Sequence, residues 1–370
     1  MPERTPSFDH LRSVMTALVL LAHTAMTYGG SGSWFYTEVT DTRSRSSVLL
    51  TVYVLISNAY LMSFFFLLAG YFTPDSFQRK GWTKFLIDRF IRLGIPLLLF
   101  SFIVGPFTVG LVAHFQGQSF LQTIYVLLRS RRFINGPMWF VESLLIFSFC
   151  YSIWCTLRQK GSAISKPASV PSSYLWILSS LGVGFSALVL RQFFPIDRRV
   201  AGVWLGNFAP YIFFFCIGIK ARGADWLEQF GWKQARLSIA IAALAIPAFP
   251  AALLLFYRQG GTTTTVRGLS WMNVFYAFWE PLLAFGIIAA LLLVFRSFIN
   301  YSSPILTWLD RRAYAVYFIH PPVLVALSLV SQHWHASALI KFICIGLISC
   351  PVTWLVADPL VRLPGLRRIF

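Results

Sequence analysis

Charged side chains are scarce in this sequence. Asp, Glu, Lys and Arg make up 12% of the 370 residues, and only 13 residues are acidic. Soluble domains average about a quarter charged residues, so this composition excludes an ordinary water-soluble fold. The polar stretches between apolar segments reach at most about 20 residues, which leaves no room for a soluble domain of usual size.

Cysteine is also rare, and its placement excludes a disulfide framework or a cysteine-ligated metal site. The five cysteines lie in or at the ends of apolar segments: Cys150, Cys155, Cys216, Cys344 and Cys350. Small buried hydrophobes are the usual role of such residues. We therefore expect no metal cofactor.

Apolar runs are abundant. Hydrophobic residues make up 57% of the chain, and the mean hydropathy is +0.67. A helix needs roughly 20 apolar residues to cross a bilayer core, and about ten runs of that length are present. The predicted spans are 11–28, 48–72, 86–113, 138–157, 174–194, 203–220, 236–257, 272–295, 313–331 and 338–357. These runs predict an all-α polytopic membrane protein, a bundle of about ten transmembrane helices in one domain covering 1–370.

The net charge of +18 reflects membrane orientation rather than nucleic-acid binding. With the N-terminus inside, most of the 31 basic residues, and every lysine except Lys341, fall in inner segments. Short cytoplasmic loops have this excess of Lys and Arg. The pattern places both termini in the cytoplasm, most simply at a bacterial inner membrane, with lipid rather than nucleic acid as the partner.

Few ionisable residues fall deep inside the predicted spans: His23, Glu142, Glu280 and His320. An ionisable group at this depth costs several kcal/mol, so each is a functional candidate. At helical rise His23 and Glu280 both lie roughly 18 Å from the inner surface, and Glu142 lies about one turn higher. The two carboxylates and His23 are therefore expected to reach one cavity.

Three arginines lie at the cytoplasmic ends of predicted spans. Arg12 precedes His23 by 11 residues, which returns a helix to within about 20° of its starting direction, so the two share a face. Arg89 and Arg92 are three residues apart, so their guanidinium groups are expected on one helix face, where both could bind phosphates. Anchoring at the membrane interface is the alternative interpretation of all three.

Five segments together resemble the membrane-bound acyltransferase-3 family, in the same order and over nearly the whole chain. They are FDHLRSVMTALVLLAH (8–23), SFFFLLAGYF (63–72), FLIDRFIRLGIPLLLF (85–100), GPMWFVESLLIF (136–147) and AYAVYFIHPPVLV (313–325). Within the family, the WFVE segment is similar to the glucan biosynthesis protein C branch, which implies succinylation of periplasmic glucans.

The resemblance implies transfer of an acetyl, succinyl or similar group from cytoplasmic acyl-CoA to a hydroxyl of an extracytoplasmic carbohydrate or glycoconjugate. It gives His23 the catalytic role and places Arg12, Arg89 and Arg92 at the donor. Glu142 and His320 match motif positions, and we assign His320 to donor binding. The choice of Glu280 as a candidate site residue rests on its estimated depth in the membrane alone.

The residue types suit this chemistry, because a sugar hydroxyl needs a base to attack a thioester and neutral imidazole is one. Glu142 or Glu280 would orient the His23 ring, and the sequence does not choose between them. An acyl-His intermediate is an alternative to direct transfer.

Tryptophans at outer ends, Trp34 among them, suit sugar stacking or an interfacial belt. A transporter or flippase for an anionic solute is the rival function.

Overall fold

The computed structural model of the chain describes residues 6–41, 43–158, 169–261 and 268–370. Arg4, Lys160 and Lys166, which contribute to the predicted orientation, lie outside the described residues. Within these ranges the chain is helical and contains no β-strand beyond an isolated bridge between Val200 and Val203. The predicted all-α class is confirmed.

The helices follow one another along the chain. In the described ranges they are α1 (Pro6–Thr27), α2 (Arg45–Arg89), α3 (Ile95–Leu99), α4 (Gly105–Phe115), α5 (Phe120–Arg129), α6 (Trp139–Arg158), α7 (Ser173–Phe193), α8 (Phe208–Arg222), α9 (Trp226–Gln229), α10 (Trp232–Arg258), α11 (Trp271–Phe298), α12 (Pro304–Asp310), α13 (Ala313–Val330) and α14 (Ala338–Arg362). Wider π-helical turns at Phe90–Gly94 and Phe100–Val104 join α2, α3 and α4.

The chain is an integral membrane protein. Seven segments of the described residues are long and apolar enough to cross a membrane: Arg45–Phe115, Gly136–Arg158, Ser173–Phe193, Trp232–Arg258, Trp271–Phe298, Ala313–Val330 and Ala338–Arg362. The predicted number is larger for three reasons. Helix α1 contains several polar side chains, α8 has only 15 residues, and Arg45–Phe115 covers two predicted spans in 71 residues. The count of ten remains a prediction.

A break at Gly81 divides the longest helical segment where the sequence predicts a connection between spans. Gly81 has φ 69° and ψ 173°, a conformation that a side chain would strain. Its surroundings are open, with no atom within 4 Å of the place where a Cβ would be. Backbone conformation therefore explains the glycine at this position.

The chain divides into two compact units. The first comprises Met1–Ser57, Leu86–Ile146 and Tyr301–Phe370, and the second comprises Asn58–Phe85 and Phe147–Asn300. In the first unit, α1 packs against α13 and α14. Leu20 of α1 joins Val316 of α13 and Trp354 of α14 in one buried cluster. This packing sets the polar faces of α1 and α13 against each other.

In the second unit, α7, α10 and α11 form the main packed group. The side chains of Ala235 and Ala289 are buried together with Phe230, and the partly buried Trp176 packs on them. Small residues allow the close approach that membrane helices use for packing. The indole N–H of Trp279 donates to the carbonyl oxygen of Ala245 at 2.8 Å and fixes α11 to α10.

Candidate active site

His23 and His320 form a hydrogen-bonded pair inside the first unit. Nδ1 of His23 on α1 lies 3.1 Å from Nε2 of His320 on α13. The side chain of His320 is fully buried, whereas His23 is only partly buried. The structure thus brings together two of the residues that the sequence singled out.

The other nitrogen of His320 determines where the protons lie in this pair. Nδ1 of His320 lies 2.7 Å from the carbonyl oxygen of Tyr317, which can only accept, so Nδ1 donates. In a neutral ring Nε2 of His320 is then the acceptor, and Nδ1 of His23 donates to it. A neutral His23 that donates through Nδ1 has its lone pair on Nε2. The pair therefore leaves His23 Nε2 as a base or nucleophile.

Tyrosines on α13 connect the histidine pair to other parts of the unit. The Tyr317 hydroxyl donates to the carbonyl oxygen of Pro137, in the turn that precedes α6. The Tyr314 hydroxyl donates to the carbonyl oxygen of Arg92 at 2.7 Å. Four residues after Arg92 stands Pro96, which has no N–H to offer that carbonyl. Tyr314 therefore replaces a missing helical hydrogen bond.

The predicted donor arginines lie in the same unit as the histidine pair. Arg12 Nη1 lies 2.9 Å from Oδ1 of Asp9, and Arg92 Nε lies 3.5 Å from Oδ1 of Asp88. The π-helical turn begins directly after Arg89, so Arg89 and Arg92 do not share a regular α-helical face. Arg92 is 58% exposed, while Arg89 is partly buried.

The N-terminal part of α1 is fixed by a carboxylate on α12. Asp310 accepts hydrogen bonds from Nδ1 of His10 at 2.7 Å and from Oγ of Ser13 at 2.6 Å. Nε2 of His10 donates to the carbonyl oxygen of Tyr301 at 2.8 Å. Both ring nitrogens of His10 thus have an oxygen partner, one on α12 and one just before it. This anchor holds the segment of α1 that presents Arg12.

Glu142 lies in the first turn of α6, also in the first unit. Its Oε2 accepts a hydrogen bond from the side-chain amide of Asn135 at 2.7 Å, and its side chain is partly buried. A carboxylate is favoured at a helix N-terminus, where the backbone N–H groups point toward it. Its assistance to His23 remains a prediction, since the hydrogen-bond partner of His23 Nδ1 is His320.

Glu280 belongs to the second unit, where it forms a buried ion pair with Arg191. Arg191 Nη2 lies 2.5 Å from Glu280 Oε2, and the two side chains are 1% and 3% exposed. Arg191 Nε donates to the carbonyl oxygen of Gly206 at 3.2 Å, and the guanidinium lies over the ring of Tyr276. The sequence analysis did not identify Arg191, although a basic residue in the last turn of a span was a visible signal.

Two further residues belong to the site. The sequence analysis did not single out Tyr317, and it considered Trp34 only for sugar stacking or an interfacial belt. The Trp34 ring stacks on His23 with centroids 4.1 Å apart. The residues directly before it, 29–33, are glycines and serines, which gave no sign of a fold back onto α1. No cluster of three or more metal-ligating side chains occurs within the described ranges.

Residues 5–358 match a family model described as an acyltransferase domain, Acyl_transf_3. The chain belongs to the acyltransferase-3 family. Its similar relatives include glucans biosynthesis protein C of Escherichia coli strain K12, which is 23% identical over the whole chain and 94% of that protein. The protein of the same name from Escherichia coli O9:H4 strain HS is 22% identical with the same coverage. No solved structure shows significant similarity to the chain.

Membership of the acyltransferase-3 family defines the chain as a membrane enzyme that transfers acyl groups other than aminoacyl groups. The enzyme therefore takes an acyl donor. The family assignment favours the enzyme over the predicted rival, a transporter.

Proposed function

We propose that the enzyme moves an acyl group from cytoplasmic acyl-CoA to a hydroxyl of an extracytoplasmic carbohydrate or glycoconjugate. The observation that supports this proposal most directly is the pairing of His23 Nδ1 with His320 Nε2, which leaves His23 Nε2 unprotonated. The proposal treats 1–370 as one domain of about ten transmembrane helices in a bacterial inner membrane, with both termini in the cytoplasm.

In the proposed step, His23 Nε2 takes the proton of the acceptor hydroxyl as its oxygen attacks the thioester carbonyl carbon. A C–O bond forms, and the electron pair of the C=O double bond moves onto the carbonyl oxygen. When that oxygen reforms the double bond, the C–S bond breaks and the proton passes from His23 to the thiolate. The products are an ester and free CoA, and His23 returns to its starting state.

The donor is proposed to approach from the cytoplasmic end of α1. Arg12 lies 11 residues before His23, about 16 Å along the helix, which suits a long donor with phosphates at one end and the thioester at the other. Arg89 and Arg92 are the other proposed phosphate contacts. The sequence analysis assigned His320 to donor binding as well, whereas its contact with His23 supports a role in positioning the base.

The proposed acceptor is a glucan, and the proposed acyl group is succinyl or acetyl. This choice rests on the name of the similar Escherichia coli proteins, glucans biosynthesis protein C. Either Glu142 or Glu280 is proposed to assist His23, and the two differ in their surroundings. Glu142 is bound to a neutral amide, whereas Glu280 is bound to a guanidinium.

The test is release of free CoA by the purified full chain in detergent. Succinyl-CoA or acetyl-CoA serves as donor and a soluble glucose oligosaccharide as acceptor, with the ester confirmed by mass spectrometry. We expect CoA release that depends on the acceptor, and its loss in His23→Ala. His335→Ala is the matched control, because His335 is an exposed residue of an outer loop.

Two results would contradict the proposal. Full activity of the His23→Ala variant would remove the proposed base. Movement of labelled succinate into proteoliposomes without any CoA donor, together with no ester product, would instead support the transporter.

A further inference from the structure

An aromatic side chain from the loop after α1 covers one face of His23. The rings of Trp34 and His23 have centroids 4.1 Å apart and planes 14° apart. Trp34 is also nearly parallel to His320, with centroids 5.8 Å apart and an interplanar angle of 12°. The indole is therefore nearly parallel to, and stacked on, the imidazole whose Nε2 is the proposed base.

The loop that presents Trp34 is fixed on both sides of it. Before Trp34, the N–H of Gly30 donates to the carbonyl oxygen of Ala25 at 2.8 Å, and a Cβ on Gly30 would lie 2.9 Å from that same oxygen. After Trp34, the N–H of Glu38 donates to the carbonyl oxygen of Thr27 at 2.8 Å. The end of α1 thus binds the loop twice, and the loop returns the indole to His23.

The indole N–H of Trp34 is buried without a hydrogen-bond acceptor. Among the residues that the structure describes, none accepts from Nε1, and that nitrogen has almost no exposed surface. A buried donor left unpaired loses its hydrogen bonds to water without replacement, so such a group needs an explanation. The contrast with Trp279, whose N–H reaches a backbone carbonyl, shows that a buried indole in this protein can be paired.

We propose that Trp34 is a catalytic residue whose indole N–H donates to the acyl carbonyl oxygen as negative charge develops there. The inference rests on the proposed acyl transfer at His23. In the step described above, this oxygen receives the electron pair of the C=O bond when the acceptor attacks. The N–H stabilises the resulting oxyanion until the C–S bond breaks and the electron pair returns.

The geometry suits this role, because the reacting carbon lies one bond beyond the hydroxyl oxygen that contacts His23 Nε2. An attacking oxygen sits about 2.7 Å from the base, so the carbonyl oxygen lies within reach of a donor in the adjacent ring plane. Trp34 is on a loop segment between two anchors rather than on a helix. The proposal therefore requires the segment between these anchors to move enough, when the thioester binds, to uncover the N–H.

The sharpest test replaces Trp34 with 3-benzothienylalanine, which keeps the shape and aromatic face of tryptophan but has sulfur in place of the N–H. We expect kcat for acyl transfer to fall by about 100-fold, the effect of removing one oxyanion donor. The affinity for a thioether analogue of acyl-CoA, which has no carbonyl, should stay unchanged. Trp34→Phe should lower kcat in the same way.

The matched control is the same replacement at Trp232, an exposed residue at the start of α10. It should leave kcat at the wild-type value. If the wild-type enzyme is active and the Trp34 variant has the same kcat, the proposed role of the N–H is overturned, while the proposed acyl transfer is not. Equal weakening of thioether binding and of kcat would also overturn it, since that result indicates a packing role. No transfer by the wild-type enzyme would instead contradict the proposed function.

Discussion

Pro321 leaves the carbonyl oxygen of Tyr317 without its helical hydrogen bond. In an α-helix this carbonyl would accept from the N–H four residues later, and proline has none. Nδ1 of His320 donates to the oxygen instead, at 2.7 Å. The proline therefore fixes the tautomer of His320, and through it the position of the free lone pair on His23.

Restoring the missing N–H should disturb this arrangement. In Pro321→Ala the new backbone N–H competes with His320 for the Tyr317 carbonyl, so His320 is no longer held in one tautomer. We expect kcat to fall by about 10-fold, with the KM for acyl-CoA unchanged. Pro322→Ala is the control, because it restores an N–H four residues after Phe318 and leaves Tyr317 unaffected. Equal losses in the two variants would contradict the explanation.

Variants of His320 can distinguish a role in positioning His23 from a role in donor binding. His320→Leu removes the acceptor for His23 Nδ1, and we expect kcat to fall by about 100-fold with little change in the KM for acyl-CoA. His320→Gln retains an oxygen that can accept this hydrogen bond and should recover part of the rate. A raised KM at constant kcat in both variants would support the donor-binding role.

The donor arginines can be tested by their effect on the KM for acyl-CoA. Arg89→Ala and Arg92→Ala each remove a guanidinium that is proposed to bind phosphate, so we expect KM to rise about 10-fold with the acceptor KM unchanged. Arg258→Ala, an exposed arginine at the end of α10, is the control. An unchanged donor KM would mean that these arginines anchor the helix at the membrane surface.

Glu38 and Lys341 form an ion pair that ties α14 to the loop of Trp34. Lys341 Nζ lies 2.5 Å from Glu38 Oε1, and the lysine side chain is 5% exposed. Breaking a buried pair costs about 3–5 kcal/mol, so Lys341→Met should lower the thermal midpoint measured in detergent and reduce kcat. The double variant Lys341→Met/Glu38→Leu removes both charges and should recover the midpoint. A single variant as stable as the wild-type enzyme would show that the pair does not hold the loop.

The sequence predicted helices well because long apolar runs determine them. It also singled out His23, Glu142, Glu280 and His320 as candidates, since ionisable groups are rare at that depth, and their catalytic roles remain predictions. It did not predict their partners, because the contact of His23 with His320 joins residues 297 positions apart. The position of Trp34 depends on a glycine-containing loop. Arg191 was visible in the last turn of a span but was not singled out, because arginines are common at span ends.

The role of Glu280 can be decided by removing its charge with and without that of Arg191. Glu280→Gln leaves a buried guanidinium without its counter-ion, so we expect a loss of about 3–5 kcal/mol of stability together with the activity. The double variant Arg191→Met/Glu280→Leu buries no charge and should regain the thermal midpoint. Recovered kcat in this variant would leave Glu142 as the carboxylate that is proposed to assist His23. A double variant that is stable but has no acyl transfer would keep Glu280 among the catalytic groups. The Glu142→Gln variant, measured in the same assay, would then show whether both carboxylates are needed.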